Sequence, residues 1–407
     1  MQNTGGAGRH QGGSGTDRPH MHGAWLEIRC PKRSNTPRPD QLAGVFFALR
    51  RSNSMPDPKV LIYTPMGNVD AQYSKLEDAG CNLTFGDAKW RLAFGASEDN
   101  IFPIAYGRDA IIGAVMRGFT FTRDFMSRLP NTRIIAKLTI GYDDVDIDAA
   151  ADLGILVTHS PTEANWGGVA EGTMTMMLTM LKRVREKDRH VRDGGWRDDA
   201  LAGTFLGARQ DGYEGITVGV IGLGRIGSRL CDLLAPWRVK LIANDPYVDE
   251  AKFAHHNANA VDLETLLRTS DVITIHSNLT EETNHLISEA QFDLMKPTAI
   301  LLNAARGPIV DEDALFFALD RDKITGAALD VFENEPLDLQ SPLRGLADKV
   351  LLSPHMISAN RGASLEPAVP WAINSTLTAM RGEIPRHVVN EAAIPKFLER
   401  FGGKTLV

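Results

Sequence analysis

Cysteine is scarce in this chain. The 407 residues hold three, Cys30, Cys81 and Cys231, scattered and odd in number. That pattern argues against a disulfide framework and fits a reducing compartment, the cytoplasm. Neither Cys-x-x-Cys nor His-Glu-x-x-His spacing occurs, so no metal site is expected. Apolar runs fall short of the roughly 18 residues that a membrane helix needs, so no membrane is expected as a partner. Positive charge is not in excess either. The 44 Lys and Arg stand against 51 Asp and Glu, for a net charge of -7, which gives no footprint for nucleic acid. What is there, 43% hydrophobic and 23% charged residues, suits a globular protein long enough for two domains.

Residues 1–54 are rich in Gly, His, Pro, Ser and Arg, with one apolar patch at 42–49 and no sustained periodicity. They read as a disordered extension. Met55 then leads through Pro56, Asp57 and Pro58 into a first strand at 59–63, and reads as the natural start. A targeting leader upstream of it is the alternative. From 55 to 160, apolar runs such as 110–115 and 133–138 alternate with helical stretches, which makes a first α/β domain. A long helix opens at Val169, Ala170 and Glu171 and continues from Gly172 to about Arg192. Its apolar residues lie on more than one face, so it is buried or pairs with another subunit. A second α/β domain fills 161–354, with strands at 217–221, 240–243, 272–275, 299–303, 326–330 and 350–352. Residues 355–407 follow, and a helical stretch near 370–381 returns to the first domain. The chain then crosses between domains twice, which makes a hinge and a cleft.

The segment from Val218 runs through Gly222, Leu223, Gly224, Arg225, Ile226 and Gly227. It is a strand, a glycine turn and a helix start, the fingerprint of a dinucleotide site. Gly222 allows the tight turn, Gly224 lets backbone approach a pyrophosphate, and Gly227 lets the helix pack on its strand. The helix N-terminus favours phosphate charge, so Arg225 and Ile226 belong to the same cradle. The next strand ends at Asp245, eighteen residues beyond Gly227. A carboxylate there accepts from ribose hydroxyls and repels a 2′-phosphate. With no Lys or Arg before Lys252, the expected cofactor is NAD, not NADP. Asp245 as a simple turn former before Pro246 is the competing reading.

Arg306, Glu335 and His355 each lie just past a short apolar run that reads as a parallel strand, where ligands of open parallel sheets sit. Arg306 can fork onto a substrate carboxylate and polarise the adjacent carbonyl. An interdomain salt bridge is its structural alternative. His355 is the candidate acid and base for a hydroxyl or carbonyl oxygen. His276, at another strand end, competes for that role or lines the cofactor cleft. Asn303 and Ala304 join the cofactor cleft. A carboxylate beside imidazole favours its protonated form and fixes its orientation, and either Glu333 or Glu335 can supply it. Asp330 can meet a nicotinamide carboxamide or cap a turn.

Taken together these segments resemble the D-isomer-specific 2-hydroxyacid dehydrogenase family. The likeness runs from Lys59 to about Asn390. It rests on Gly222 to Gly227, on Met295, Lys296 and Pro297 with Asn303 to Gly307, on Ala327 to Phe332 with Glu335 and Pro336, and on Ser353, Pro354 and His355. Asp143 to Asp146 and Asn165 to Glu171 match as well. The resemblance implies a Rossmann NAD-binding domain, a flavodoxin-like α/β substrate domain and a homodimer built on the Val169 helix. It implies Arg306 as substrate binder, His355 as acid and base, and Glu335 as the acid paired with it. It implies that Thr139, Ile140 and Gly141 offer backbone amides to the substrate carboxylate. The chain departs from the family at Thr139 (commonly Gly), Asp144 (usually Asn), Asn278 (usually Pro) and residues 356–360 (commonly small), which bears on substrate size and loop shape. Interconversion of a D-2-hydroxy acid and its 2-keto acid is the expected activity, close to hydroxypyruvate or glyoxylate reduction or to a short phosphoglycerate dehydrogenase. The alternatives are an NAD(H)-responsive corepressor-like scaffold, and a dehydrogenase of an oxyanion such as phosphite.

Overall fold

A computed structural model describes residues 57–88, 97–115, 119–360 and 365–407. The readings made for residues 1–54 and for Met55 lie outside the described residues. All described residues fall within one compact unit, Met55–Val407.

Two parallel sheets organise it. The first holds β1 (Lys59–Ile62), β2 (Asn82–Phe85), β3 (Ala110–Gly113), β4 (Ile134–Lys137) and β5 (Leu156–Thr158), in the order β2-β1-β3-β4-β5. That order is the flavodoxin-like one, and its switch point lies between β1 and β3. Apart from the edge strand β2, the strands are short apolar runs without alternation, because helices cover both faces of a parallel sheet. Val60, Leu61, Ile62, Ile111, Ile112, Ile134 and Ile135 are accordingly buried. Two helices from the far end of the chain, Val369–Met380 and Ile394–Phe401, complete this layer. Val369, Ile373 and Phe397 share one apolar core with Ile112, Ile134 and Leu156. The chain therefore leaves this lobe and returns to it, crossing twice.

The second sheet holds β6 (Thr217–Ile221), β7 (Lys240–Asn244), β8 (Asn259–Ala260), β9 (Val272–Ile275), β10 (Ile300–Asn303), β11 (Gly326–Leu329) and β12 (Val350–Leu352). The order is β12-β11-β10-β9-β6-β7-β8, parallel throughout. It winds outward in both directions from the β6/β9 pair, the Rossmann arrangement, with its ligand crevice at that reversal.

The long helix differs from its sequence reading. It begins earlier, at Glu163, and ends at Lys182; a second helix, Val184–Arg192, follows. Arg183 between them sits at φ 53, in the left-handed region. Its N–H donates to Met180 O at 3.1 Å, which closes the first helix. Its guanidinium donates to Ala200 O and to Glu186 Oε1. Those partners hold a conformation that a non-glycine residue seldom adopts. On the sheet side, Met176, Met177 and Leu181 pack with Val218, Val220 and Leu230.

Candidate active site

Register decides what meets at the site. Cα pairing places Asn244, Ile221, Ile275, Asn303, Leu329 and Leu352 in one row across the second sheet. Whatever follows these residues emerges on a single edge. Gly222 follows Ile221, Asp245 follows Asn244, His276 follows Ile275 and Asp330 follows Leu329, while Arg306 and His355 come three residues past Asn303 and Leu352.

The glycine turn fits a dinucleotide. Gly222 sits at φ 89, and a Cβ there would lie 2.7 Å from Ser277 N. Over Gly224, by contrast, a Cβ would meet no heavy atom within 4 Å, so that backbone is open to a close ligand. The helix Arg225–Leu234 starts directly after it. Asp245 is tied to the turn, since Oδ2 accepts from Leu223 N at 2.8 Å and Oδ1 from Tyr247 N at 3.0 Å. A carboxylate has about four acceptor positions, so capacity for ribose hydroxyls remains. Two buried polar atoms beside the turn, His276 Nδ1 and Ser277 Oγ, have no partner among the described residues. Such orphans are costly unless a ligand satisfies them. Burial pushes His276 down to about 4, so its ring is neutral at neutral pH, with Nε2 2.9 Å from Thr274 Oγ1. A neutral imidazole at this turn suits the cofactor cleft.

Asn303 and Asp330 are engaged by the protein itself. Asn303 Nδ2 donates to Arg306 O at 2.9 Å, and its Oδ1 accepts from Ala305 N at 3.1 Å. It thereby shapes the turn through Ala304 that delivers Arg306. Asp330 is 2% exposed. It accepts from Ser353 Oγ at 2.6 Å, Met356 N at 2.9 Å and Ile357 N at 3.1 Å. These bonds grip the loop on both sides of His355, which itself lies at φ 53. Burial raises the Asp330 carboxyl above its ordinary range, while its hydrogen bonds and the nearby His355 pull it back.

The two glutamates left open by the residues face different partners. His355 Nδ1 lies 2.9 Å from Glu335 Oε2 and 3.0 Å from Oε1. Glu333 turns away: its Oε1 accepts from Glu312 N at 3.1 Å and lies 2.9 Å from His285 Nε2. A carboxylate accepting at Nδ1 leaves Nε2 as the nitrogen that exchanges protons with a ligand.

Arg306 reaches across the cleft to the first lobe. Its Nε and Nη2 each donate to Asp143 Oδ2 at 2.8 Å, and Nη1 donates to Ala305 O at 2.7 Å. It lies on Gly141, where a Cβ would stand 2.1 Å from Nη2; only glycine admits that approach. The loop beneath has its carbonyls occupied. Thr139 Oγ1 donates to Gly141 O at 2.7 Å, Ser160 N to Thr139 O at 3.1 Å, and His159 Nδ1 sits 3.1 Å from Ile140 O. The N–H groups of Thr139, Ile140 and Gly141 donate to no acceptor among the described residues. A row of backbone donors beside a guanidinium has the chemistry to receive a carboxylate.

Ser277 and Lys137 escaped the sequence reading, and Asp143 entered it only as part of a matching segment, with no role assigned. Lys137, at the end of β4, is wholly buried and pairs with Asp144 Oδ2 at 2.7 Å. Its ammonium also donates to Ala114 O at 3.0 Å and to the Tyr63 hydroxyl. The unusual Asp at 144 is thus the counter-charge of a buried lysine.

Residues 174–356 match the model of the D-isomer specific 2-hydroxyacid dehydrogenase NAD binding domain. The chain is 39% identical over 281 residues to a glyoxylate reductase of Aeropyrum pernix, covering 67% of this chain and 80% of that one. It is 37% identical over 265 residues to a D-3-phosphoglycerate dehydrogenase of Archaeoglobus fulgidus, covering 65% of this chain and 48% of that longer one. Among solved structures, D-lactate dehydrogenase from Aquifex aeolicus, complexed with NAD and lactic acid, superposes with a TM-score of 0.68 at 27% identity, over 83% of this chain and 98% of that one. A site of this build, on these two sheets, belongs to an oxidoreductase. The chain is a member of the D-isomer specific 2-hydroxyacid dehydrogenase family, and its cofactor is NAD.

Proposed function

We propose that this protein interconverts a small D-2-hydroxy acid and its 2-keto acid, with glyoxylate or hydroxypyruvate as the preferred keto acid. The observation that carries the reading is the Arg306 guanidinium beside the N–H groups of residues 139–141, which donate to no described residue, with Arg306 rising from the same sheet edge as the His355–Glu335 pair. Arg306 and those amides bind the substrate carboxylate and set the adjacent carbonyl toward the nicotinamide side of the cleft. NADH, when bound at the glycine turn, supplies the hydride. His355 Nε2 gives a proton to the carbonyl oxygen as it gains charge, and takes it back in the reverse direction. Glu335 holds the ring through Nδ1 and stabilises the imidazolium form. Asp245, Gly222, Gly224, Arg225, Ile226 and Gly227 cradle the dinucleotide, with His276 and Ser277 beside them.

The preference for a small keto acid is supported by the glyoxylate reductases among the relatives. The test is NADH consumption with a panel of glyoxylate, hydroxypyruvate, pyruvate, phenylpyruvate, 2-oxoglutarate and phosphohydroxypyruvate. Fastest turnover with either of the first two is the expected result. An enzyme that binds NADH but turns over none of the six overturns the reading.

The same proposal includes a homodimer in the cytoplasm, with Glu163–Lys182 at the interface. Among the described residues no helix is long and apolar enough to cross a membrane. Light scattering on the purified protein tests the dimer.

A further inference from the structure

We propose that Asp143 is a positioning residue: it holds the Arg306 guanidinium against Gly141 through Nη2, with its remaining N–H groups turned to the substrate carboxylate. The inference rests on the substrate-binding role proposed for Arg306.

Arg306 starts from the second sheet and ends at the first lobe, 163 residues away in sequence from Asp143. A guanidinium carries five N–H groups in a fixed plane. Asp143 Oδ2 takes one from Nε and one from Nη2, and Ala305 O takes one from Nη1. Among the described residues one N–H on each terminal nitrogen remains without an acceptor, and together they form a fork that matches a carboxylate. The same Nη2 rests over Gly141, next to the amides of residues 139–141 that donate to no described residue. Asp143 thus selects, among the many rotamers of a long arginine, the one in which the remaining fork and the amide row adjoin.

The pair is partly exposed, with side chains 26% and 39% accessible. An ion pair of that exposure contributes little to stability. Its effect falls on ordering. With Asp143 in place, Arg306 is fixed before substrate arrives; without it, binding must immobilise a rotamer-rich side chain. A competing reading is that Asp143 stands in for the substrate carboxylate and must be displaced. The two readings predict opposite signs.

The experiment uses the full chain with saturating NADH, and compares wild type, Asp143→Ala and Asp143→Asn. The readouts are kcat, KM for glyoxylate, inhibition by oxamate as an unreactive carboxylate probe, and NADH affinity by fluorescence. The expected result for Asp143→Ala is a KM and an oxamate inhibition constant raised about three- to tenfold, the cost of ordering one long side chain on binding. NADH affinity stays unchanged. Asp143→Asn, which keeps an acceptor but no charge, shows a smaller rise in both. If Asp143→Ala does not fold, the oxamate constant of Asp143→Asn decides alone. A KM that falls assigns Asp143 to competition and overturns the proposal; a KM that does not move reduces the bridge to a surface contact and overturns it equally. Wild type that turns over no keto acid of the panel fails the function itself and takes this inference with it. Wild-type turnover with an unmoved Asp143→Ala fails the inference alone.

Discussion

Replacing Lys137 with Met tests the buried ion pair under the substrate loop. Lys137 and Asp144 are 0% and 3% exposed at the side chain, with Nζ and Oδ2 2.7 Å apart. The three ammonium donors are all used, by Asp144, Ala114 O and the Tyr63 hydroxyl. Burial depresses the lysine below its ordinary range, and the charge and hydrogen bond of Asp144 oppose that shift. Lys137→Met fits the space but takes the Lys137 ammonium away from the buried Asp144 carboxylate. Breaking a buried pair from one side costs about 3–5 kcal/mol. The joint replacement Lys137→Met with Asp144→Leu removes both charges and recovers most of that loss, because apolar substitutes for a buried pair are often neutral or stabilising. Urea unfolding followed by tryptophan fluorescence gives both numbers. Because two lobes need not unfold in one step, the fluorescence midpoint is read against circular dichroism. A single variant within about 1 kcal/mol of wild type would refute the reasoning, since the pair would then count for no more than an exposed one.

Two further outcomes follow from the site. His355→Ala lowers kcat by about 10²–10⁴-fold, the usual share of a positioned acid, with NADH affinity intact; a variant that loses NADH as well shows His355 to be structural. The depressed His276 gives a pH dependence. Its folded value of about 4 lies below the ordinary value near 6.5, so the unfolded chain takes up its proton first. Stability from this group is complete above about pH 6.5 and is lost as pH falls toward 4, by about 3 kcal/mol in all. Unfolding midpoints from pH 7 to 4 check this, and His276→Asn flattens the profile; an unaltered slope in that variant refutes the assignment.

The sequence was most informative where chemistry follows directly on a strand. β9 and β10 are nearly pure apolar runs, so their ends were readable, and with them His276 and the turn that carries Arg306. The glycine turn was readable because its backbone geometry restricts the residue type. What escaped depends on contacts between distant side chains. Lys137 sits in an apolar run and shows nothing in sequence of the Asp144 carboxylate seven residues on. An interdomain salt bridge was the alternative read for Arg306, but its partner, Asp143, was not identifiable across 163 residues of sequence. The break at Arg183 was hidden for another reason: arginine is a good helix former, and only its bonds to Ala200 and Glu186 reveal the left-handed turn. Glu333 and Glu335 lie too close in sequence for pattern to separate them, and the fold divides them between His285 and His355.

The shared row of strand ends has a consequence for redesign. Six strands stop at one level, so the loops beyond them can change length or side chains without altering any pairing below. A single-residue insertion within β10 or β12 would instead swap the side chains packed on the two faces of the sheet and displace Arg306 or His355. Efforts to retune this enzyme toward bulkier acids therefore belong in loop side chains such as those of residues 358–360, with Gly141 beneath Arg306 and the Met356 and Ile357 amides that hold the His355 loop left untouched.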